Sequence, residues 1–249
     1  MNTIKILLVT FVKNEGTMLS HFINHYYNEV DQILIHNDNS TDNSMEQIKE
    51  IYHNIEIVTL TKVPTPEKWE SFLLRFTNLR NNSLNIAREK GFDLVIIVDA
   101  DEFLNPPVGF SSLRSYLNWF ASSKFAAVRA IGFDIIGNKS QYPETIELGF
   151  LEAEFRNMVR YKNMMDKPCI FNTKKCQSIS FAPGAHNANI NAAGEIWSPI
   201  SPILLHYKFI SLEYARSRVS KNNQTISDPD FNIHKSRAQN IDILLESLL

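Results

Sequence analysis

The chain is expected to fold as an α/β protein, with a mostly parallel central sheet, helices on both faces and a helical extension at the C-terminal end. Short β-branched apolar runs alternate with stretches of helical periodicity through its first half, the pattern of repeated strand–helix units. The run Val95-Ile96-Ile97-Val98 is apolar at every position, as in a strand buried on both faces. Three polar clusters, Lys13-Asn14-Glu15, Asn37-Asp38-Asn39 and Asp99-Ala100-Asp101-Glu102, each come directly after an expected strand. Ligands of such sheets collect at the carboxyl ends of the strands.

Residues 4–9 are the first strand, and Leu19, Phe22, Ile23 and Tyr26 recur at helical spacing over residues 18–27. Residues 32–36 form a short strand before the turn-forming Asn37-Asp38-Asn39-Ser40, and Thr41 or Asp42 can cap a helix reaching about residue 52. A third strand covers residues 55–60. Thr65-Pro66-Glu67 puts a capping residue before a proline at the first helical position; the helix runs to Lys90 and Gly91 ends it. Residues 94–98 make the fourth strand. Later signals are weaker: a helix over 111–122, a strand over 125–131, a loop over 132–149, and short strands over 169–172 and 178–181. Pro183-Gly184 and Ala193-Gly194 mark turns, and helical periodicity returns from Ser211 with a polar break over 222–229.

A chain of 249 residues with 44% hydrophobic and 21% charged content has the make-up of an ordinary globular domain. Its formal net charge of −2 gives no bulk attraction to nucleic acid or anionic membrane. The apolar run 4–12 is interrupted by Lys5 and Thr10 and is too short for a bilayer span. Two cysteines, Cys169 and Cys176, form neither a disulfide framework nor a zinc knuckle. A cytoplasmic protein is expected, with peripheral contact at the inner membrane face left open.

Crowding Asp99, Asp101 and Glu102 at a strand end is costly, because like charges repel. The cost is relieved if a hard cation sits among them. Mg²⁺ or Mn²⁺ takes oxygen ligands and can bridge a diphosphate. The competing explanation is a loop of solvated acids capping the next helix.

Lys13-Asn14-Glu15-Gly16, His21-Phe22-Ile23-Asn24-His25-Tyr26, Ile33-Leu34-Ile35-His36-Asn37-Asp38-Asn39-Ser40-Thr41-Asp42 and Val98-Asp99-Ala100-Asp101-Glu102 together resemble the opening of family-2-type glycosyltransferases. The match is to their K-N-E-containing bacterial branch with the GT-A fold and its D-x-D motif. The likeness covers residues 3–105 and continues more loosely to 208 through Gly184-Ala185-His186-Asn187 and Leu204-Leu205-His206-Tyr207. It implies one domain over 1–210, with residues 1–105 for the nucleotide and 106–210 for the acceptor, and an extension over 211–249. Phe11, Asn14, Asp38, Arg80 and Asp99 are the implied nucleotide-sugar residues. Asp99, Asp101 and His186 are the implied ligands of Mn²⁺ or Mg²⁺. The implied partners are a UDP-linked sugar donor and a glycan or lipid-linked acceptor, in surface polysaccharide synthesis.

The chemistry of these side chains is compatible with those roles. A carboxylate at Asp38 can accept from ribose hydroxyls or a uracil N–H, though its setting is also a strong turn composition. Arg80 offers a planar fork for phosphate oxygens, or decorates a charged helix that also carries Arg75 and Arg88. His186 comes after a turn and can reach back to a cation; His206, in an apolar stretch, reads better as a core or supporting histidine. An inverting transferase needs a carboxylate base for the acceptor hydroxyl. Asp134 and Asp166 are the preferred candidates over Glu152 and Glu154. Trp197 is the best sugar-stacking residue, while Trp69 and Trp119 read as core. The alternatives are a haloacid-dehalogenase-type phosphohydrolase, disfavoured by Phe103 after the motif, and a non-catalytic glycan-binding domain.

Overall fold

The computed structural model describes residues 4–42, 44–62, 69–136, 157–160 and 165–209. The expected C-terminal helices over 211–249, the capping segment at Thr65, and Glu152 and Glu154 lie outside them. The elements are β1 (Ile6–Val12), α1 (Gly16–Tyr26), β2 (Gln32–Asn37), α2 (Ser44–Ile51), β3 (Ile55–Thr59), α3 (Trp69–Glu89), β4 (Leu94–Ile97), β5 (Glu102–Asn105), α4 (Leu113–Ser122), β6 (Ala127–Ile136), β7 (Asn157–Val159), β8 (Lys167–Asn172), β9 (Cys176–Phe181), β10 (Ala188–Ala192) and β11 (Ile203–Phe209).

Strand alternation builds two cores, one on each face of the sheet. From β1, Ile6, Leu8 and Val12 face the first core, and Leu7, Val9 and Phe11 the second. The first core is closed by α1 (Leu19, Phe22, Ile23, Tyr26), by Met45 and Ile48 of α2, and by Leu113, Tyr116, Leu117 and Phe120 of α4. The second is closed by Phe76, Leu84 and Ala87 of α3 and by Ile179 and Phe181 of the β9–β10 hairpin. Ser112 starts α4 with a reciprocal cap: its hydroxyl accepts from the Ser115 N–H at 3.0 Å, and its own N–H donates to the Ser115 hydroxyl at 3.1 Å.

The main sheet runs β3-β2-β1-β4-β8-β6-β11-β5, with β7 on β6. The first four strands are all parallel. β8 then runs antiparallel to both β4 and β6, β11 is parallel to β6, and β5 is antiparallel to β11. Three strands, β5, β7 and β10, were not expected from sequence. β6 also continues through Gly132, which in the sequence reads as the start of a loop. A Cβ at Gly132 would lie 2.1 Å from the Met165 carbonyl oxygen, so this glycine permits a close backbone crossing within a strand.

The order of strands forces a strong curl. In a flat sheet β4 and β5 would stand about 19 Å apart. The chain from Ile97 to Glu102 spans at most about 17 Å even when fully extended. It is not extended: the Glu102 N–H donates to the Asp99 carbonyl at 3.0 Å, closing a turn. The sheet therefore bends until β5 returns beside β4, and residues 98–101 bridge the gap. That bridge is the acidic segment.

Candidate active site

Curling the sheet gathers side chains that are remote in sequence around the turn between β4 and β5. Asp99, at its start, accepts from the Arg80 guanidinium of α3 at 2.6 Å and from the Lys167 ammonium of β8 at 2.8 Å. Lys167 is buried, and it also reaches both carboxylate oxygens of Glu102, at 2.8 and 2.7 Å. Glu102 accepts the Asp99 backbone N–H at 2.8 Å. Burial disfavours charge on Asp99, but Arg80 and Lys167 outweigh it and hold the carboxyl well below the usual carboxylate range. Burial also opposes charge on Lys167; Asp99 and Glu102 outweigh it and raise the ammonium above its ordinary value. Burial pushes Glu102 up, with Lys167 opposing.

Asp101 turns the other way. Its carboxylate lies 3.4 Å from His206 Nε2 of β11. His206 Nδ1 is 2.7 Å from the Asp134 carboxylate of β6. All three side chains are largely buried. Burial lowers the tendency of His206 to hold a proton, but Asp101 and Asp134 overcome it and raise its pKa to about 9. A histidine fixed through Nδ1 by a carboxylate, presenting Nε2 to another group, has the form of an oriented metal-binding imidazole.

The residues expected on the nucleotide side lie at the ends of β1 and β2. Asp38 is 1% exposed; it accepts from Arg75 at 2.8 and 3.3 Å and from Lys13 at 3.1 Å. Burial alone would raise its pKa, but these two cations lower it. Asn14 adopts a left-handed conformation, φ 55°, and its amide oxygen accepts the Thr41 N–H at 2.6 Å. This ties the loop after β1 to the loop after β2, a position where asparagine bears the backbone cost better than most residues. Phe11 stacks on His36 at 5.3 Å, and the Arg80 guanidinium lies 4.9 Å over the Phe11 ring. One continuous wall therefore runs from Asp38 and Arg75 through Phe76, Phe11 and Arg80 to Asp99.

Other expected residues sit elsewhere. His186 is in the turn between β9 and β10, where its carbonyl accepts from Arg129 at 3.0 Å; it is His206 that the curl brings to Asp101. Asp134 serves His206. Asp166 accepts the Gly132 N–H at 3.0 Å and pairs with Arg160 at 3.1 Å, which pins β6 to the start of β8. Trp197 is partly exposed, with the Arg129 guanidinium 5.0 Å over its ring. Trp119 packs against Phe110 and Tyr116, as a core residue does. Cys169 and Cys176 are free and buried; burial pushes their thiols up to about 12 and about 11.

Lys167 and Arg75 join this candidate site although the sequence does not single them out. Lys13 stands inside the Lys-Asn-Glu cluster, and Arg75 reads as helix-surface charge. Lys167 has no local signal at all.

Among the described residues, no group of three or more His, Cys, Asp or Glu side chains is arranged to hold a metal ion. A two-donor set does fit one: Asp101 Oδ2 and His206 Nε2, at 3.4 Å. Adjacent ligands of a six-coordinate ion with bonds near 2.1 Å stand about 3 Å apart, and oxygens of a diphosphate suit the remaining positions. Asp99 fits less well, because its oxygens already face Arg80 and Lys167.

The model of glycosyltransferase family 92 matches residues 9–242. The chain belongs to that family, and with it to the sugar-transferring enzymes. Its sheet, with helices on both faces, is of the α/β architecture expected. Among solved structures the chain is similar to glucosyl-3-phosphoglycerate synthase from Mycobacterium tuberculosis in complex with Mn²⁺, UDP and glucosyl-3-phosphoglycerate, at 15% identity over 90% of this chain and 81% of that one, TM-score 0.41. It is also similar to 4-diphosphocytidyl-2C-methyl-D-erythritol synthase from Anaerococcus prevotii, at 16% identity over 70% and 73%, TM-score 0.36. No curated protein matches. No helix among the described residues is long and apolar enough to cross a membrane.

Proposed function

We propose that this enzyme moves a sugar from a UDP-linked donor to a hydroxyl of a glycan or lipid-linked acceptor in surface polysaccharide synthesis, with Mn²⁺ or Mg²⁺ at the donor diphosphate. The observation that carries this reading is the Asp101–His206–Asp134 relay at the turn of the curl, beside the cation-lined wall from Asp38 to Asp99. Family membership favours transfer over the phosphohydrolase alternative. The narrower kinship with the Lys-Asn-Glu, D-x-D bacterial branch rests on Lys13-Asn14-Glu15 and Asp99-Ala100-Asp101 and belongs to the same reading.

Residues 1–105 hold the donor in this scheme. Asp38 and Asn14 frame the nucleoside, with Phe11 forming the wall behind it. Arg80 has one face on Phe11 and an edge on Asp99, and its remaining N–H groups suit phosphate oxygens. Asp101 and His206 would hold the cation, which would supply charge compensation for the departing diphosphate. Asp134 fixes the His206 ring, so it acts as a positioning residue rather than as the acceptor base. Asp166 holds β6 in place for the acceptor half, residues 106–210. A Trp197 ring backed by Arg129 offers that half a surface for a sugar face.

UDP release from a panel of UDP-sugars with Mn²⁺ tests the scheme. Asp101→Asn should cut release by at least about a hundredfold with an unchanged unfolding temperature, and chelator should do the same to the wild type. Full activity of Asp101→Asn in chelator-treated buffer would overturn it.

A further inference from the structure

Lys167 is among the most buried side chains of the molecule, and its three ammonium protons are matched by three carboxylate oxygens, one from Asp99 and two from Glu102. A lysine so placed has no donor left for a ligand. Burying an ammonium is costly unless it is paired, so its function must be exerted on the carboxylates themselves.

Four carboxylates, Asp99, Asp101, Glu102 and Asp134, are joined through Lys167 and His206. Lys167 and Arg80 balance two of these charges. Asp101 and Asp134 lie instead on the two ring nitrogens of His206. A cation in this cluster would sit at Asp101 and His206, because the oxygens of Asp99 and Glu102 are engaged by Lys167 and Arg80. The side chain of Asp99 is still 31% exposed, so without the ammonium it would face the cleft as an open metal ligand beside Glu102.

We propose that Lys167 is an internal counter-cation that keeps Asp99 and Glu102 out of metal coordination and so confines the site to a single divalent ion at Asp101 and His206. This rests on the proposed metal role of the donor site. Asp99 is thereby reserved for Arg80 and the donor, and the cluster does not fill with ions when no nucleotide is present. Lys167 is a positioning residue: it touches neither donor nor acceptor.

The test is Mn²⁺ binding to the full chain without nucleotide, read by electron paramagnetic resonance, with thermal unfolding as a check on folding. The wild type and Lys167→Arg should bind one ion. Lys167→Gln keeps hydrogen-bond donors but loses the charge; it should bind Mn²⁺ at least about tenfold more tightly or take a second ion, a change of the size that supporting residues produce at metal sites. Asp99→Asn, which leaves Lys167 intact, should keep an affinity close to wild type. A folded Lys167→Gln with wild-type binding, or loss of Mn²⁺ from Asp99→Asn, would overturn the proposal. Asp101→Asn separates the two ideas: unchanged Mn²⁺ binding there removes the Asp101 site while the Lys167 comparison still stands. Gain of binding only in Lys167→Gln would support the role of Lys167 without that site, and no binding in any variant removes both.

Discussion

His206 shows how a residue can be misjudged from its own neighbourhood. Its flanks, Leu204, Leu205 and Tyr207, make it resemble a core histidine, and it is indeed buried. What gives it chemistry is the pair of carboxylates from two other segments, Asp101 and Asp134, and nothing in the local pattern announces either. His186 has the more inviting context, a glycine turn, but the curl leaves it in the β9–β10 hairpin. His206→Ala should lower Mn²⁺-dependent UDP release by about 10- to 100-fold, and His186→Ala should stay close to wild type in the same assay. The reverse ranking would return the metal-facing role to His186. Asp99, Asp101, Asp38 and Arg80 could be singled out from sequence because they sit in or near motif clusters. Lys167 could not: a lysine between Asp166 and Pro168 looks like surface.

The same contrast holds among the elements. β1, β2 and β4 were legible because each is an apolar run closed by a polar cluster, and parallel strands buried on both faces need no other signal. Segment 102–105 carried no strand signal because its reason for being a strand is the partner β11, far along the chain. Gly132 misled for the opposite reason, since its small size serves a backbone crossing and not a turn. Within the legible half, His36 of β2 pairs in register with Phe11 of β1 and stacks on it. Among the described residues, neither of its buried ring nitrogens has a hydrogen-bond partner. Burial lowers its pKa below 6.5, with Glu56 opposing weakly, so on acidification the unfolded chain takes up the proton first. Stability from the neutral ring is complete above the unfolded value and falls as pH drops below about 6.5. Because His206, with its pKa raised to about 9, acts in the opposite direction over this range, the comparison is between proteins: urea unfolding at pH 8 and pH 5.5 should show His36→Phe losing less stability on acidification than wild type. The buried His21, shifted in the same direction, accounts for a remaining slope. A pH dependence unaltered in His36→Phe would show that the ring is already hydrated or charged.

For the whole molecule, the decisive event is the closing of the sheet on itself. Four parallel strands give an edge on which a nucleotide can lie, and that much is set by the order of strands and helices. The antiparallel β8 and the returning β5 convert this edge into a site, by carrying Lys167, His206 and Asp134 to the acidic turn. Asp99 and Glu102 are thus engaged by the protein's own cations, and on the proposed reading a metal holding diphosphate would sit at Asp101 and His206. The most direct measurement is the shift in unfolding temperature on adding UDP, with and without Mn²⁺, to wild type and Asp101→Asn. At a hundredfold excess over its dissociation constant, UDP with Mn²⁺ should raise the wild-type midpoint by about 5–10 °C, and either chelator or Asp101→Asn should remove most of that rise. An equal rise in Asp101→Asn, or in wild type stripped of metal, would contradict a metal-held diphosphate at this turn.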